Sequence, residues 1–281
     1  MSSDFLAQMA TGSRERVHAA QRACSDAALL ARALASAPPP PLQRSPTGFD
    51  LIAELKLRSP AAGQFKSAGE DVAARVVAYA QAGAAAVSVL TEPSRFDGSM
   101  AHLETAARAL APLRVPAMRK DFLVDPYQVS EARLAGAAGV LVILRMLAQA
   151  QIEALLERAR SLGLFVLLEA FDEYDIELLH GLVARQARPL SGLLAGVNCR
   201  DLTTLQVVPG RLERLAPLLP TSMPRVAESG VGSADDARRV AAAGYDLALV
   251  GSALMQGGDP HALASAMLQA GRAVRSTPTV R

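Results

Sequence analysis

The feature that most constrains the fold is a repeat from residue 49 onward, in which short apolar runs alternate with helical segments. This rhythm is typical of βα units that form a parallel sheet covered on both faces. Eight candidate strands can be placed: Phe49–Lys56, Ala85–Thr91, Val115–Lys120, Gly139–Leu144, Phe165–Glu169, Gly192–Asn198, Arg225–Glu228 and Leu247–Gly251. A helical candidate follows each of them, the last at Pro260–Arg272.

The spacing of the units favours closure of the sheet into a (β/α)8 TIM barrel. Between Glu54 and Gly251 the units average about 28 residues each, as such a barrel requires. An open, doubly wound sheet is the alternative. That fold usually carries a glycine fingerprint after its first strand, whereas this turn reads Lys-Leu-Arg-Ser-Pro.

The N-terminal segment differs from the rest of the chain. Residues 4–36 are predicted to form a helix that ends at the run Pro38–Pro41, because proline cannot continue a helix. We therefore expect an N-terminal helical extension with a Pro-rich linker at residues 1–48 and a barrel catalytic domain at residues 49–281. The extension has two candidate roles, covering the mouth of the barrel and mediating dimerisation.

Composition excludes several classes of protein. Apolar residues make up 51% of the chain and charged residues 20%, which argues for a packed core and against disorder. Lysine and arginine total 29 against 27 acidic residues, without a basic run, so we expect no nucleic-acid partner. Charged residues interrupt the N-terminus and no apolar run reaches about 18 residues, so we expect a cytoplasmic protein with no membrane contact.

Cysteine and histidine give no metal signature. Cys24 and Cys199 lie far apart without CxxC spacing, and the four histidines form no HxH or HxxxH pair. We expect no metal. Cys199 has no histidine at a strand end to activate it, so we predict an inert thiol.

Charged and polar side chains at the C-terminal ends of the predicted strands are the main functional signal. They are Glu54, Lys56, Lys120, Glu169, Asn198, Arg200, Glu228 and Ser229. In a barrel all of these strand ends open on one rim. Ions buried there without partners would cost several kcal/mol each. Their convergence predicts acid/base chemistry on an anionic substrate.

Other residues at the strand ends predict the two ends of a binding site. Gly230 after the seventh strand, with Gly251 and Ser252 after the eighth, stand where barrels commonly hold phosphate. Phe96 and Phe122 follow strand ends, where each ring has two possible roles: stacking on a planar aromatic substrate or packing its own loop.

Ten sequence blocks, in order from about residue 49 to 268, resemble indole-3-glycerol phosphate synthase. The blocks are IAELK (52–56), SP (59–60), SVLTE (88–92), FDGS (96–99), RKDF (119–122), DPYQ (125–128), LLEA (167–170), GVNCRDL (196–202), AESG (227–230) and LVGSALM (249–255). The resemblance implies a carboxy-lyase of tryptophan biosynthesis that closes the pyrrole ring of 1-(2-carboxyphenylamino)-1-deoxyribulose 5-phosphate. It also implies that carbon dioxide and water are lost and that no cofactor or metal is needed.

The resemblance assigns roles to the acid/base residues. Lys120 would protonate the ketone oxygen, while Lys56 would pair with the substrate carboxylate or share the acid role. We expect two neighbouring lysines to lower each other's pKa. Glu169 would transfer the proton in dehydration, and Glu54 and Glu228 would orient the lysines.

The resemblance also assigns the binding residues. Asn198 and Ser229 would hydrogen-bond the substrate hydroxyls. Ser59 and Arg200 would contact the anthranilate end. The phosphate would lie against Gly230, Gly251 and Ser252.

One departure from the family pattern lies in the loop after the first strand. The usual Ser-Pro-Ser-Lys-Gly reads Ser59-Pro60-Ala61-Ala62-Gly63, which removes a cation. Two alternatives stay open: a paralogue that closes a related ring in another pathway, and a non-catalytic phosphosugar-binding barrel. Phosphoribosylanthranilate isomerase would need a cysteine at the end of the first strand, where this chain has Glu54 and Lys56. The sequence allows either a monomer or a homodimer.

Overall fold

Eight parallel strands close into a barrel, because the last strand pairs with the first. The computed structural model describes residues 2–46, 48–60, 63–64, 71–185, 192–202, 204–256 and 258–275. The barrel strands are β1 Asp50–Leu55, β2 Ala86–Leu90, β3 Ala117–Lys120, β4 Gly139–Ile143, β5 Phe165–Ala170, β6 Leu193–Asn198, β7 Arg225–Glu228 and β8 Leu247–Val250. The predicted TIM barrel is confirmed, and the doubly wound alternative is wrong.

Each predicted strand lies within two residues of an observed one. The largest difference is at β3, which begins at Ala117 rather than Val115. Pro116 has no N–H to donate to a ladder, although its carbonyl oxygen accepts from the Val87 N–H at 2.9 Å. Strand order follows chain order around the whole barrel, so all eight C-terminal ends meet at one mouth.

Helices connect the strands and form the outer layer. The described ranges contain three short 3-10 helices and twelve α-helices: α1 Ser2–Ala23, α2 Asp26–Ala35, α3 Val72–Gln81, α4 Pro93–Phe96, α5 Met100–Leu110, α6 Pro126–Leu134, α7 Gln149–Ser161, α8 Glu173–Arg185, α9 Arg211–Leu215, α10 Ala234–Ala243, α11 Ser252–Gln256 and α12 Pro260–Arg275. After β1, residues Arg58–Ser59 and Gly63–Gln64 form a short antiparallel pair. Asp125 and Ser233 cap the starts of α6 and α10.

Alternate strand residues divide into two apolar clusters, as the two-residue period of a strand requires. In β1, Ile52 joins the barrel interior with Met118, Leu167 and Leu249. Its neighbours Leu51 and Ala53 belong to the layer between the strands and the helices. Glu54 is on the interior face and is 4% exposed, so the same alternation brings a carboxylate inside.

The single helix predicted over residues 4–36 is wrong, because the segment forms two helices. The break is at Cys24 and Ser25. Ser25 has extended backbone angles (φ −65°, ψ 153°), and its hydroxyl oxygen accepts from the Ala28 N–H at 3.3 Å. This arrangement caps the start of α2, and α2 ends at Ala35, before the proline run.

Arginines of the barrel dock α2 against its flank. Arg158 of α7 binds Asp26 through two contacts of 2.8 Å. Arg133 of α6 donates to the backbone oxygens of Ser36 and Ala37 at 2.9 and 2.7 Å. Arg133 therefore fixes the two residues that directly follow α2 against the barrel. Among the described helices, none is long and apolar enough to cross a membrane.

Candidate active site

The mouth of the barrel brings together every candidate residue chosen from the sequence. A cavity at the centre contains Glu54, Lys56, Ser59, Phe96, Lys120, Phe122, Glu169, Asn198, Arg200 and Ser229 in its lining. An adjoining cavity of about 400 Å³ is lined by Glu228, Gly230, Gly251 and Ser252, and it shares Lys56 and Lys120 with the first. The two cavities therefore meet at the lysines.

Lys120, the last residue of β3, lies at the centre of this site. Its Nζ atom is 3.3 Å from Glu169 Oε2 and 3.6 Å from Glu228 Oε2. Asn198 Nδ2 donates to the same oxygen of Glu169 at 3.3 Å. Beside this cluster, Lys56 Nζ lies 2.9 Å from Glu54 Oε1. Three carboxylates and two lysines thus form one paired network.

Strand register explains why these side chains meet. Glu169 of β5 pairs with Gly196 of β6, and Asn198, two residues further along β6, pairs with Glu228 of β7. Residues two apart on a strand share a face, so all of these side chains point into the barrel. The mouth collects them because each one stands at or near the end of its strand.

The expectation that neighbouring lysines lower each other's pKa is wrong for Lys120. Burial alone would lower the pKa of Lys120, but attraction by Glu169, Glu228 and Glu54 outweighs burial and raises the pKa above its ordinary value. The carboxylates outnumber the lysines in the network, and two of them lie within 3.6 Å of the Lys120 ammonium group. Lys120 is therefore protonated at neutral pH.

The two flanking carboxylates differ in their environments. Burial opposes the charge on Glu54, yet Lys56 and Lys120 outweigh it and hold the pKa of Glu54 below its ordinary value. Burial and the neighbouring charge of Glu169 raise the pKa of Glu228 well above its ordinary value. One carboxyl is thus ionised, while the other favours its neutral form.

The second cavity has a sharp backbone turn at its edge. Ser229 and Gly230 follow β7 with φ values of 64° and 68°. A methyl group on Gly230 would lie 2.7 Å from Cys199 Sγ, so a side chain there would be both strained and crowded. Cys199 itself is buried, and burial raises the pKa of its thiol. These properties agree with the prediction of an inert thiol.

The first cavity has an aromatic side. The Phe96 and Phe122 rings lie 6.2 Å apart between centroids and are tilted by 39°. Phe5 of α1 meets Phe122 edge-on at 5.9 Å, and it also lines the cavity. The sequence interpretation missed Phe5. Its position over the mouth depends on how α1 docks, although the apolar residues Phe5, Leu6 and Met9 gave a signal of one packed face.

Sequence reasoning also missed Asp121, which lies beside Lys120 in the chain and lines the cavity. Its carboxylate contacts Arg16 of α1 at 2.9 Å and Arg119 at 3.0 Å, and it accepts from the Thr91 hydroxyl at 2.7 Å. Burial would raise the pKa of Asp121, but Arg119 and Arg16 lower it below the ordinary value. Asp121 therefore acts as a charged anchor for α1.

Ala61 and Ala62, which replace the usual Ser-Lys, lie outside the described residues. Within the described ranges, no group of three His, Cys, Asp or Glu side chains has the geometry to hold a metal ion.

Comparisons with known proteins identify relatives of this chain. A family model described as indole-3-glycerol phosphate synthase matches residues 6–267. A protein of that name from Parafrankia sp. is 45% identical over 221 residues, which cover 79% of this chain and 78% of the relative. Another from Mycolicibacterium smegmatis is 42% identical over 242 residues, which cover 84% of each chain. The Mycobacterium tuberculosis (strain CDC 1551 / Oshkosh) protein is 40% identical over 261 residues, 91% of each chain.

Solved structures support the fold alone. A 3-hexulose-6-phosphate synthase from Salmonella typhimurium matches with a TM-score of 0.60 at 16% identity, covering 80% of this chain and 99% of that one. A thiamine phosphate pyrophosphorylase from Pyrococcus furiosus matches with a TM-score of 0.56, also at 16% identity, covering 81% and 96%.

Proposed function

The chain belongs to the indole-3-glycerol phosphate synthase family, and on that premise we propose how its residues divide the reaction. The enzyme is a carboxy-lyase of tryptophan biosynthesis. It converts 1-(2-carboxyphenylamino)-1-deoxyribulose 5-phosphate into indole-3-glycerol phosphate by ring closure, decarboxylation and dehydration. We also infer that it works in the cytoplasm.

Lys120 is the general acid of ring closure. As the aryl carbon attacks the ketone carbon, Lys120 Nζ–H donates its proton to the ketone oxygen, which becomes a hydroxyl group. Loss of carbon dioxide from the attacking ring carbon then restores the aromatic ring. The observation that supports this role is the 3.3 Å contact of Lys120 Nζ with Glu169 Oε2, because attraction by the Glu169 carboxylate helps to keep the lysine protonated.

Glu169 completes the reaction by taking a proton from the ring CH2 group beside the carbon that bears the new hydroxyl, while that hydroxyl takes a proton from one of the two lysines and leaves as water. Its contact with Asn198 at 3.3 Å holds the carboxylate towards Lys120. Lys56, paired with Glu54 at 2.9 Å, faces the substrate carboxylate or shares the acid role. Glu228 orients Lys120 from the opposite side.

The two cavities suit the two ends of the substrate. The aromatic side, with Phe96 and Phe122, holds the anthranilate ring, and Ser59 and Arg200 hold its polar edge. Asn198 and Ser229 bind the hydroxyls of the sugar chain. The phosphate lies in the second cavity, at Gly230, Gly251 and Ser252.

A fluorescence assay with 1-(2-carboxyphenylamino)-1-deoxyribulose 5-phosphate tests the proposal, because the chain has no tryptophan to mask the emission of the indole product. We expect Lys120→Met to lower turnover by about a hundredfold or more, as for the loss of a positioned acid. Lys56→Met, assayed beside it, separates the two lysines. Near-normal turnover in Lys120→Met contradicts the assignment of the acid.

A further inference from the structure

Two candidate carboxylates lie directly over glycines of neighbouring strands. A methyl group built on Gly196 of β6 would be 2.3 Å from Glu228 Oε1, and one on Gly251, just past β8, would be 2.3 Å from Glu54 Oε1. Non-bonded carbon and oxygen atoms do not approach so closely. Each carboxylate therefore fills space that the side chain of any other residue would take.

The backbone does not explain the glycine at position 196. Gly196 has no positive φ, so an L-residue would fit its backbone conformation. The requirement is for space, because a methyl group there would also come within 2.9 Å of Leu167 Cδ1. Leu167 and Glu228 together leave no room for a side chain.

The strand register shows where the space above Gly196 lies within the network of lysines and carboxylates. Gly196 pairs with Glu169 on one side and with Val226 on the other, while Glu228 pairs with Asn198 two residues later. The Glu228 side chain therefore leans back from the mouth, over Gly196 and towards the strand of Glu169. Both Glu228 oxygens are fully buried, and the Glu228 side chain interacts with that of Glu169.

We propose that Gly196 is a positioning residue, whose missing side chain forms a recess that sets the depth of Glu228 beneath Lys120. The recess keeps Glu228 dry and close to Glu169, and both conditions favour the neutral carboxyl group. Gly251 beneath Glu54 repeats the arrangement on the other side of the network. The inference rests on the role proposed above for Glu228.

The first test is Gly196→Ala in the full chain. Its methyl group must displace Glu228 or Leu167, so we expect kcat to fall about ten- to a hundredfold, as for a catalytic group misplaced by about 1 Å. KM should stay within about twofold, because Gly196 itself lines neither cavity at the mouth.

Gly139→Ala is the matched control for damage to the barrel. Gly139 also lies on a barrel strand, and a methyl group there would be 2.3 Å from the Phe165 ring, but at the start of β4, the opposite end of the barrel. We expect it to lower the melting temperature at least as much as Gly196→Ala while keeping kcat. Equal loss of kcat in both variants overturns the proposal.

Infrared spectroscopy gives a measurement that should not change in Gly196→Ala if Gly196 has a purely structural role. The carbonyl stretch of a neutral carboxyl group should be present near neutral pH and should vanish in Glu228→Gln. In Gly196→Ala that band should shift or disappear, because Glu228 is pushed out of the recess towards water. An unchanged band together with unchanged kcat refutes the positioning role.

A double-mutant cycle keeps the proposal testable if Gly196→Ala folds poorly. Glu228→Asp shortens the side chain by one methylene and withdraws it from the recess. Adding Gly196→Ala to Glu228→Asp should then cost less stability and less kcat than it costs in the wild type. Additive effects of the two substitutions would contradict the proposal that Gly196 leaves space for the Glu228 side chain.

The same variants separate this inference from the proposed function. If Glu228→Gln keeps wild-type turnover, Glu228 does not have the role proposed for it, and the recess has no part in catalysis. If Glu228→Gln is impaired while Gly196→Ala is normal, Glu228 keeps its role and only the recess is refuted.

Discussion

Arg16 Nη2 in the N-terminal helix lies 2.9 Å from Oδ1 of Asp121, the residue that directly follows Lys120. Arg16 also approaches Glu92 at 3.8 Å, at the end of the loop after β2. Asp121 and Glu92 are buried, at 3% and 1% exposure. The helix that precedes the barrel is thus tied to the strand end that carries the candidate general acid.

Removing this tie should loosen α1 over the mouth. We expect Arg16→Ala to raise KM several-fold and to lower the free energy of unfolding by about 1 kcal/mol, because the arginine is partly exposed to water. Steady-state kinetics and thermal unfolding measure the two effects. Arg22→Ala, an exposed arginine on the same helix, is the control. If both variants behave alike, the Arg16–Asp121 pair does not hold the helix.

Asp121 should make stability depend on pH in the acid range. Its pKa is lower in the folded protein than the ordinary value of 3.8, since Arg119 and Arg16 outweigh the effect of burial. Its contribution is therefore complete above that ordinary value and is lost as the pH falls through the folded value. Asp121→Asn should be about 3 kcal/mol less stable than the wild type at neutral pH, with the gap closing in acid.

Denaturant unfolding between about pH 7 and about pH 3 checks this expectation. Asp235→Asn is the control, because the Asp235 side chain is 87% exposed and contacts only the exposed Arg238 among the ion pairs of the described residues. A gap between Asp121→Asn and the wild type that stays constant over the whole range would show that Asp121 does not titrate with folding.

The strand ends could be predicted from the sequence because their signal is local. Charged residues such as Lys120 and Glu169 stand out at the end of apolar runs, and the barrel topology brings all such ends to one mouth. Arg16 and Asp121 carry no such signal. They are 105 positions apart, and only the docking of α1 brings them together. The same docking places Phe5 in the cavity.

The charge state of the network could also not be predicted from the sequence. Two lysines near each other suggested mutual repulsion, but the sign of the shift at Lys120 depends on which carboxylates come closest. The break between α1 and α2 had a readable signal, since Ser25 followed by Asp26 fits a helix start. The apolar pattern on both sides of it concealed that signal.

Arg158 should contribute to stability without affecting catalysis. It binds Asp26 through two contacts of 2.8 Å and donates to the Ser130 hydroxyl oxygen at 2.7 Å, which fastens α2 to the barrel flank. We expect Arg158→Ala to lower the free energy of unfolding by about 1–2 kcal/mol. Its kcat and KM should match the wild type, because α2 contributes no residue to either cavity at the mouth.

Chemical denaturation and steady-state kinetics of the same preparation test this separation. Arg160→Ala is the control on the same helix, since Arg160 contacts only the exposed Glu157 one turn away among the recorded ion pairs of the described residues. A large rise in KM for Arg158→Ala would show that the whole extension docks as one unit, so that loosening α2 also loosens α1.

Phe5 should act on binding of the aromatic end of the substrate. Its ring meets Phe122 edge-on at 5.9 Å and lines the cavity beside Phe96. An aromatic contact of this kind is worth about 0.5–1.5 kcal/mol beyond its buried area. Since about 1.4 kcal/mol is a factor of ten in affinity, we expect Phe5→Ala to raise KM about three- to tenfold. The kcat value should change less, because Phe5 packs on Phe122 at the aromatic side of the cavity.

Two comparisons separate a direct contact from looser docking of α1. Phe5→Leu keeps an apolar side chain of similar reach, so it should recover stability but only part of KM if the ring itself faces the substrate. Leu34→Ala, at an exposed position of α2, should change neither quantity. If Phe5→Ala and Arg16→Ala shift KM and the melting temperature in the same proportion, Phe5 acts only by holding the helix in place. A rise in KM with an unchanged melting temperature would instead make the N-terminal helix a wall of the substrate pocket.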